Sequence, residues 1–303
     1  MDKVCTIIVT YNGAKWIEKC LQHLLHSKYS STVIVIDNHS TDNTIDILQK
    51  YLPHIELIRN EKNLGFGGGN NIGIKRALAL DANFIFLLNQ DVYINETSIG
   101  SLITTLKENP SFGIISPLQL DRDNIHLEKT FKKYIPEAEM KNILQPDFQF
   151  RSHKPISLRF VNAAAWMITR QAVEKVGLFH PVFFHYGEDN NYSSRLQYHD
   201  LNIGVSDCTR VIHDRNKETP LPEKFLRRNL KTIPLYTLVD IRKPLIVAYL
   251  LGLLKLKRIK KKLEKYHPND IQEIYQEQKK WFTSGLRYAI QIRRETKRVY
   301  YKA

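Results

Sequence analysis

Two carboxylates stand directly at the end of apolar runs, where a charged group needs a partner. Asp91 ends LLNQD and Asp37 ends VIVID. An isolated carboxylate leaving an apolar strand is costly unless it is paired or bound to a metal, and one carboxylate plus substrate phosphates is a usual way to hold Mg²⁺ or Mn²⁺. Asp37 needs a donor, which the N3–H of a pyrimidine base would supply. These residues predict a bound nucleotide with a divalent cation; a turn-forming aspartate is the alternative for Asp91.

A glycine-rich segment, NLGFGGGNN at 63–71, could approach a ligand with its backbone. Asn70 and Asn71 are predicted to open a helix whose N-terminus favours negative charge. The run does not fit G-x-G-x-x-G in any frame and does not follow the first predicted strand, which argues against a dinucleotide-dependent oxidoreductase. A flexible surface loop is the alternative without function.

The elements that must position these residues form an α/β pattern. Continuous apolar runs are typical of parallel strands covered by helices on both faces, so we predict a doubly wound fold in which ligands bind beyond the carboxyl ends of the strands. The predicted strands are Val4–Val9, Thr32–Asp37, Ile55–Arg59, Asn83–Leu88 and Gly113–Pro117, and the predicted helices are Ala14–Ser27, Asn43–Tyr51, Asn70–Leu80 and Glu96–Glu108.

The second half of the chain is less regular. Residues 120–155 predict a long loop or an irregular excursion over the sheet. Regular structure is predicted to return with Arg159–Thr169, a helix over GEDNNYSSRLQYHDL and a strand Ile203–Asp207. The sequence then becomes basic and helical, so we place a domain boundary between residues 1–222 and 223–303.

The net charge of +14 is concentrated at one end of the chain. Residues 1–223 hold 24 Lys and Arg against 25 Asp and Glu, whereas residues 224–303 hold 21 against 6. Residues 1–223 are therefore nearly neutral, and the basic residues 224–303 show no nucleic-acid-binding motif. We expect no nucleic-acid partner. The chain has 3 cysteines, too few for a disulfide framework, and its first residues lack the apolar core of a secretory signal. We therefore expect a cytoplasmic protein.

The basic part contains an apolar run, PLIVAYLLGLL at 244–254, flanked by lysines and arginines. The run is short of the roughly 20 residues that span a bilayer as a helix. An apolar helix beside dense positive charge is predicted to lie on an anionic membrane surface, here the inner face of the cell membrane. The alternative is that it packs on the sheet domain or on a second copy in a homo-oligomer.

Six segments, taken together and in order, make the chain resemble glycosyltransferase family 2, in particular its bacterial rhamnosyltransferase-like branch, over about residues 4–215. They are VTYNG at 9–13, IDNHSTDNT at 36–44, NLGFGGGNNIG at 63–73, LLNQD at 87–91, GLFHPVFFHYGEDNNYSSR at 177–195 and VIHD at 211–214. The resemblance implies a GT-A fold: a single Rossmann-like, doubly wound mixed sheet, here with a helical, basic C-terminal appendage.

The resemblance also implies an activity: inverting, metal-dependent transfer of a sugar from a nucleoside-diphosphate sugar to a glycan acceptor. The donors that it allows are dTDP-rhamnose and UDP-sugars. The acceptor would be a glycan or a polyprenyl-diphosphate-linked glycan in bacterial surface polysaccharide synthesis. The competing interpretation is a non-catalytic sugar-nucleotide-binding subunit that recruits a partner through its basic tail.

Four residues would carry the chemistry that the resemblance implies. Asp189 would be the general base, with Glu188 beside it orienting the site. Asp91, the last acid of the DxD element, and His213 would hold Mn²⁺ or Mg²⁺ on the diphosphate. In this chain Asn89 stands in place of the first acid of that element.

The remaining implied site residues bind the donor or lie near the transferred sugar. Asn162, Ala163 and Trp166 of NAAAW would lie near the donor sugar or the acceptor, although an ordinary buried strand explains that stretch equally well. The nucleotide- and donor-binding residues would be Thr10, Tyr11, Asn12, Asp37, Asn38, Asn63, Gly65, Gly69, Asn70, Gln90 and Asp91.

Overall fold

The computed structural model describes residues 2–143, 154–215, 222–264 and 268–298 of the chain. Its strands are β1 (Val4–Thr10), β2 (Thr32–Asp37), β3 (Glu56–Arg59), β4 (Phe84–Asn89), β5 (Val92–Ile94), β6 (Phe112–Leu120), β7 (Ile156–Leu158), β8 (Ala165–Thr169) and β9 (Asn202–His213). Its helices are α1 (Ile17–Leu25), α2 (Thr44–Gln49), α3 (Gly65–Ala79), α4 (Ser98–Glu108), α5 (Glu137–Ile143), α6 (Arg170–Val176), α7 (Glu188–Tyr198), α8 (Pro222–Leu238), α9 (Leu245–Leu263), α10 (Pro268–Ser284) and α11 (Leu286–Lys297).

The strands join in one mixed sheet in the order β3-β2-β1-β4-β8-β6-β9-β5, with β7 paired to β9. The first four strands along the chain are parallel, as in half of a doubly wound fold. β8 runs antiparallel to β4 and β6, and β5 runs antiparallel to β9. The predicted doubly wound mixed sheet is confirmed.

Both faces of the sheet are covered because successive side chains of a strand point to opposite sides. In β1, Ile7 packs into the apolar cluster under α3, whereas Ile8 packs into the cluster under α1 and α4. Both side chains are fully buried. This two-sided burial explains why the strands of the sequence read as continuous apolar runs.

Helix α3 begins earlier than predicted, because the glycine run is its first turn. The predicted start at Asn70 is wrong, since the helix begins at Gly65. A Cβ on Gly69 would lie 2.7 Å from Val9 Cγ1, and one on Gly73 would lie 2.4 Å from Ile7 Cγ2. These two glycines therefore allow the helix to pack closely on β1. The ligand contact expected of Gly69 stays a prediction.

Strand β9 extends well beyond the predicted end at Asp207, to His213. Its pairing with β6 shifts register, so that Pro117 faces Ser206 and Leu118 faces Arg210. The chain bulges and then resumes as a strand, which local periodicity does not reveal. The predicted excursion at 120–155 contains a 3-10 helix, Phe131–Tyr134, and α5; residues 144–153 lie outside the described residues.

The C-terminal helices α8 to α11 pack mainly on one another, with a small core that includes Leu230, Leu256 and Ile271. Phe183, which precedes α7, joins Leu238 and Phe282 in a second cluster, so the helices also contact the sheet domain. Among the described residues, none of the helices combines the length and the apolar character required to cross a bilayer. The predicted domain boundary at residue 222 stays a prediction.

Candidate active site

A pocket of about 540 Å³ opens at the carboxyl ends of β1 and β4. This is the position at which open α/β sheets bind ligands. Six of the predicted donor-binding residues line it: Tyr11, Asn38, Asn63, Gly65, Gln90 and Asp91. The other side chains on its wall are those of Val9, Trp16, Phe66, Asn89, Phe184 and His185.

The position of Gln90 in this pocket is fixed by the end of β1. The fully buried Thr10 donates from Oγ1 to Gln90 Oε1 at 2.5 Å, and the amide of Tyr11 donates to the same oxygen at 3.1 Å. Thr10 therefore acts on the pocket through Gln90. Tyr11 itself is 47% exposed and offers its ring to a ligand.

Asp37 and Asn12 organise the loop that follows β2. Ser40 N lies 3.2 Å and 3.3 Å from the two carboxylate oxygens of the buried Asp37. Asn12 Oδ1 accepts a hydrogen bond from Thr41 N at 2.8 Å. The chain itself thus supplies one donor, Ser40 N, to Asp37, and the base contact predicted for this residue stays a prediction.

Three asparagine side chains hold the first turn of α3 against the pocket. Asn63 Oδ1 accepts from Gly65 N at 2.8 Å, Asn38 Nδ2 donates to Gly65 O at 3.0 Å, and Asn70 Nδ2 donates to Phe66 O at 2.9 Å. Gly65 has a φ of 73°, and a Cβ there would lie 1.9 Å from the carbonyl oxygen of Phe184. Only glycine fits this position.

The pairing of β5 with β9 brings His213 beside Asp91. The register places Val92 opposite His213, and Asp214 N donates to Asp91 O at 2.8 Å. As a result, His213 Nε2 lies 3.6 Å from Asp91 Oδ1. Burial raises the pKa of Asp91 to about 6, against the lowering effect of Arg215. The two predicted metal ligands are neighbours.

The tautomer of His213 follows from its contacts. Arg215 Nε, which can only donate, lies 3.2 Å from His213 Nε2, so Nε2 carries the lone pair. The proton is then on Nδ1, which donates to Gln119 Oε1 at 3.1 Å. Burial, followed by the Arg215 cation, holds the pKa of His213 well below its usual range. His213 is therefore neutral, with its lone pair on the side of Asp91.

A hydrogen-bond chain runs from His213 to the NAAAW segment. Gln119 Nε2 donates to Asn162 Oδ1 at 2.9 Å, and the Asn162 Nδ2 donor finds no acceptor among the described residues. Ala164 O accepts from Asn89 N at 2.8 Å, beside the pocket. The amide of Ala163 donates to the carboxylate of Asp189. Residues 162–164 therefore bond to Gln119 and Asn89 near Asp91 on one side and to Asp189 on the other.

The acid pair lies in the first turn of α7. The helix begins after a sharp turn in which Tyr186 and Gly187 both have positive φ, 69° and 94°. Asp189 Oδ1 accepts from Asn190 N at 2.7 Å. Burial, followed by the charge of Asp189, raises the pKa of Glu188 to about 8, and burial also raises the pKa of Asp189. Glu188 therefore keeps its proton at neutral pH.

Tyr134 connects the two halves of the site electrostatically. Burial raises the pKa of Tyr134 to about 12; the charge of Asp189 raises it further and that of Arg215 opposes it. Arg215 contacts His213. A charge beside His213 and the charge of Asp189 therefore both act on the pKa of Tyr134. Asp189 is not among the side chains that line the described pocket. Its connection to the site is the hydrogen bond from the backbone of Ala163.

The sequence profile of glycosyl transferase family 2 matches residues 5–177, more than half of the chain. The chain belongs to this family. The low-salt glycan biosynthesis hexosyltransferase Agl10 of Haloferax volcanii is 28% identical over 222 residues, which cover 71% of this chain and 68% of Agl10. The N-acetylglucosaminyl-diphospho-decaprenol L-rhamnosyltransferase of Mycobacterium tuberculosis is 26% identical over 218 residues, which cover 64% of this chain and 70% of that protein.

Among solved structures, the mannosyltransferase PcManGT from Pyrobaculum calidifontis, in complex with GDP-Man and Mn²⁺, matches this family 2 glycosyltransferase with a TM-score of 0.60. The match covers 97% of this chain and 86% of that chain at 14% sequence identity. At that identity the likeness shows the fold. The GT-A fold expected from the sequence is confirmed.

Two of the residues predicted near the transferred sugar are deeply buried in this glycosyltransferase. Trp166 is fully buried. Its ring stacks on that of Phe179 with the centroids 6.4 Å apart, and the ring of Tyr192 lies 6.0 Å away. Ala163 is 5% exposed. Trp166 thus belongs to the core, as the alternative of a buried strand expects, whereas Asn162 reaches the site through Gln119.

Sequence reasoning missed several residues of the site. Phe184 and His185 line the pocket, and Phe184 is 60% exposed; the aromatic run before the acid pair was the available signal. Gln119 was detectable as a polar residue within an apolar strand. Asn71 holds the backbone of Phe179 with both amide atoms, each at 2.8 Å, and only the structure reveals this contact.

Proposed function

We propose that this family 2 glycosyltransferase moves a sugar, with inversion, from a nucleoside-diphosphate sugar to a hydroxyl group of a glycan or lipid-linked glycan. The donors that we favour are dTDP-rhamnose and UDP-sugars. The observation that carries the proposal is the position of residues 162–164 between two acidic centres, Asp91 with His213 and Asp189 with Glu188. An inverting displacement needs separate groups for the attacking hydroxyl and for the departing diphosphate.

On the acceptor side, Asp189 would accept the proton of the attacking hydroxyl. Burial raises the pKa of Asp189, which makes its carboxylate a stronger base than a solvated one. Glu188 would remain protonated at neutral pH, because a second charge beside Asp189 in a buried position is unfavourable. The bond from the acceptor oxygen to the anomeric carbon forms as the bond from that carbon to the diphosphate oxygen breaks.

On the donor side, the residues present fit a divalent cation in part. Among the described residues no three of His, Cys, Asp and Glu cluster as a metal site. Asp91 and the neutral His213 are nevertheless adjacent, and the hydrogen bond from His213 Nδ1 to Gln119 Oε1 fixes the orientation of the imidazole. Bound Mn²⁺ or Mg²⁺ would neutralise charge on the leaving diphosphate. Arg215, which now donates to His213 Nε2, would have to release that lone pair.

For the acceptor, we propose a polyprenyl-diphosphate-linked glycan of a bacterial surface polysaccharide, at the inner face of the cell membrane. The mycobacterial relative is named for an acceptor of this type, a diphospho-decaprenol-linked sugar. The basic C-terminal helices provide positive charge next to such a substrate.

The proposal is tested first with Asp189→Asn. Removal of a general base costs about 10²- to 10⁴-fold in kcat, so we expect turnover to fall in this range while the affinity for nucleoside diphosphate, measured by calorimetry, is unchanged. The matched control is Asp200→Asn, an exposed acid just beyond the end of α7, which should keep full activity. Near-normal turnover of Asp189→Asn would exclude it as the base.

The donor is identified by thermal shift against a panel of nucleotide sugars, since a ligand that binds the native state raises its Tm. Slow release of nucleoside diphosphate without acceptor would support an enzyme. Binding without turnover of any donor would favour the non-catalytic sugar-nucleotide-binding subunit. Proton NMR of the product reports the anomeric configuration, and a retained configuration would contradict the inverting mechanism.

A further inference from the structure

Helix α9 leaves an apolar stripe uncovered. Ile246, Leu250 and Leu254, spaced four residues apart, are 74%, 54% and 51% exposed. Residues spaced three or four apart share one face of a helix. The opposite face is packed: Ala248, Gly252, Leu256, Ile259 and Leu263 are buried against neighbouring helices.

The same face continues into positive charge at the C-terminal end of α9. Lys257 and Lys261 follow Leu254 at intervals of three and four residues, and both are exposed. Arg258 and Lys262 are exposed beside them. Lys260, in contrast, points to Glu264 and to the ring of Tyr275. The stripe therefore ends in a cluster of exposed cations.

A second group of cations lies at the N-terminal end of α9. A pocket of about 410 Å³ is lined by five basic side chains together with Pro244 and Leu245. Asp240 forms ion pairs with Arg242 and Lys243, and the buried Arg293 donates to backbone carbonyls. The other two, Arg294 and Lys297, are exposed. Both ends of the apolar stripe are thus positively charged.

We propose that the α9 face, defined as Ile246, Leu250, Leu254, Lys257 and Lys261, docks on an anionic lipid bilayer. The apolar side chains would enter the headgroup layer and the cations would contact lipid phosphates. A second copy of the chain is disfavoured, because a pair of α9 faces would bring cations against cations whether the helices ran parallel or antiparallel. The inference is independent of the transfer reaction, since docking needs neither donor nor acceptor.

The charge contribution is tested by sedimentation of the full chain with vesicles. We expect binding to vesicles of phosphatidylcholine with phosphatidylglycerol and little binding to phosphatidylcholine alone. Each basic residue near the surface contributes about 1 kcal/mol, equivalent to about fivefold in affinity, so Lys257→Gln with Lys261→Gln should weaken binding by about 25-fold. The matched control is Lys50→Gln with Lys75→Gln, two exposed lysines of the sheet domain, which should bind as the parent does.

The apolar contribution is tested with Leu250→Gln and Leu254→Gln together. The matched control is Leu52→Gln with Ile125→Gln, because these side chains are 50% and 74% exposed on the sheet domain. We expect the α9 variant to lose most vesicle binding at unchanged Tm and the control to retain it. Equal binding by the α9 variants and their controls would overturn the proposal. So would a dimer, measured by light scattering, that only the leucine variant dissociates.

Discussion

Glu188 makes the stability of the protein depend on pH. The side chain is 5% exposed, and burial, followed by the charge of Asp189, raises its pKa to about 8 from an ordinary value of 4.5. Between these values the folded protein binds more protons than the unfolded chain, so the free energy of unfolding decreases as pH rises. One proton corresponds to about 1.4 kcal/mol per pH unit. From pH 5 to pH 7 the free energy of unfolding therefore falls by about 2–3 kcal/mol.

The perturbation is Glu188→Gln, which keeps the shape of the protonated carboxyl and removes its titration. We expect this variant to gain about 2–3 kcal/mol relative to the parent between pH 5 and pH 7, because unfolding of the parent releases the Glu188 proton in this range and unfolding of the variant does not. The assay is urea unfolding followed by circular dichroism at several pH values. Glu108→Gln, at an exposed position of α4, is the matched control and should follow the parent.

A difference between Glu188→Gln and the parent that stays constant from pH 5 to pH 8 would refute the reasoning. It would mean that Glu188 ionises near its ordinary pKa in the folded protein. Glu188 would then be charged at neutral pH, and Asp189 would have no neutral partner. Because the two carboxyls titrate as a pair, the change in the free energy of unfolding with pH belongs to both of them. Comparison with the variant isolates the contribution that depends on Glu188.

Three further results are expected. Gly73→Ala should lower the free energy of unfolding by about 1–3 kcal/mol because its Cβ would meet β1, whereas Gly100→Ala, whose Cβ would lie 3.7 Å from its nearest neighbour, should raise it by up to about 1 kcal/mol; urea unfolding with the opposite order would contradict this. Mn²⁺ affinity, measured by calorimetry without donor, should fall about tenfold from pH 7 to pH 5, because Asp91 has a pKa of about 6; a flat profile would exclude this carboxylate as a ligand. Arg215→Gln should raise Mn²⁺ affinity by freeing the lone pair of His213; weaker binding would show that the guanidinium does not compete.

The sheet was largely predictable because its strands carry their signal locally. β2 has the predicted bounds, Thr32–Asp37, and β1 ends one residue later than predicted. Their apolar runs are long and covered on both faces. The three-residue strand β5, Val92–Ile94, was not predicted, because so short a run has no periodicity of its own and depends on β9 for its pairing.

The candidate site residues could be named from the sequence where their type and motif mark them. The contacts between them could not be predicted where they depend on the pairing register of β6 with β9. Asp91 and His213 were expected to act together, and the structure places them 3.6 Å apart. Their connection to Asn162 through Gln119 needs β6 beside β9 after a register shift, which one sequence does not specify. For Trp166 the sequence left two interpretations open, a place near the transferred sugar or an ordinary buried strand, and the structure buries its side chain in the core.

The protonation states of the site limit its negative charge, which the proposed diphosphate leaving group would require. In the proposed mechanism Asp91 acts on the donor side and Asp189 on the acceptor side, and a charge on Glu188 would add to the repulsion of the anionic donor. Burial keeps that proton in place at neutral pH. Arg215 adds a cation beside the neutral His213. If Asp189 is the base, as we propose, the protonated Glu188 and the neutral His213 limit the negative charge that an anionic donor would meet.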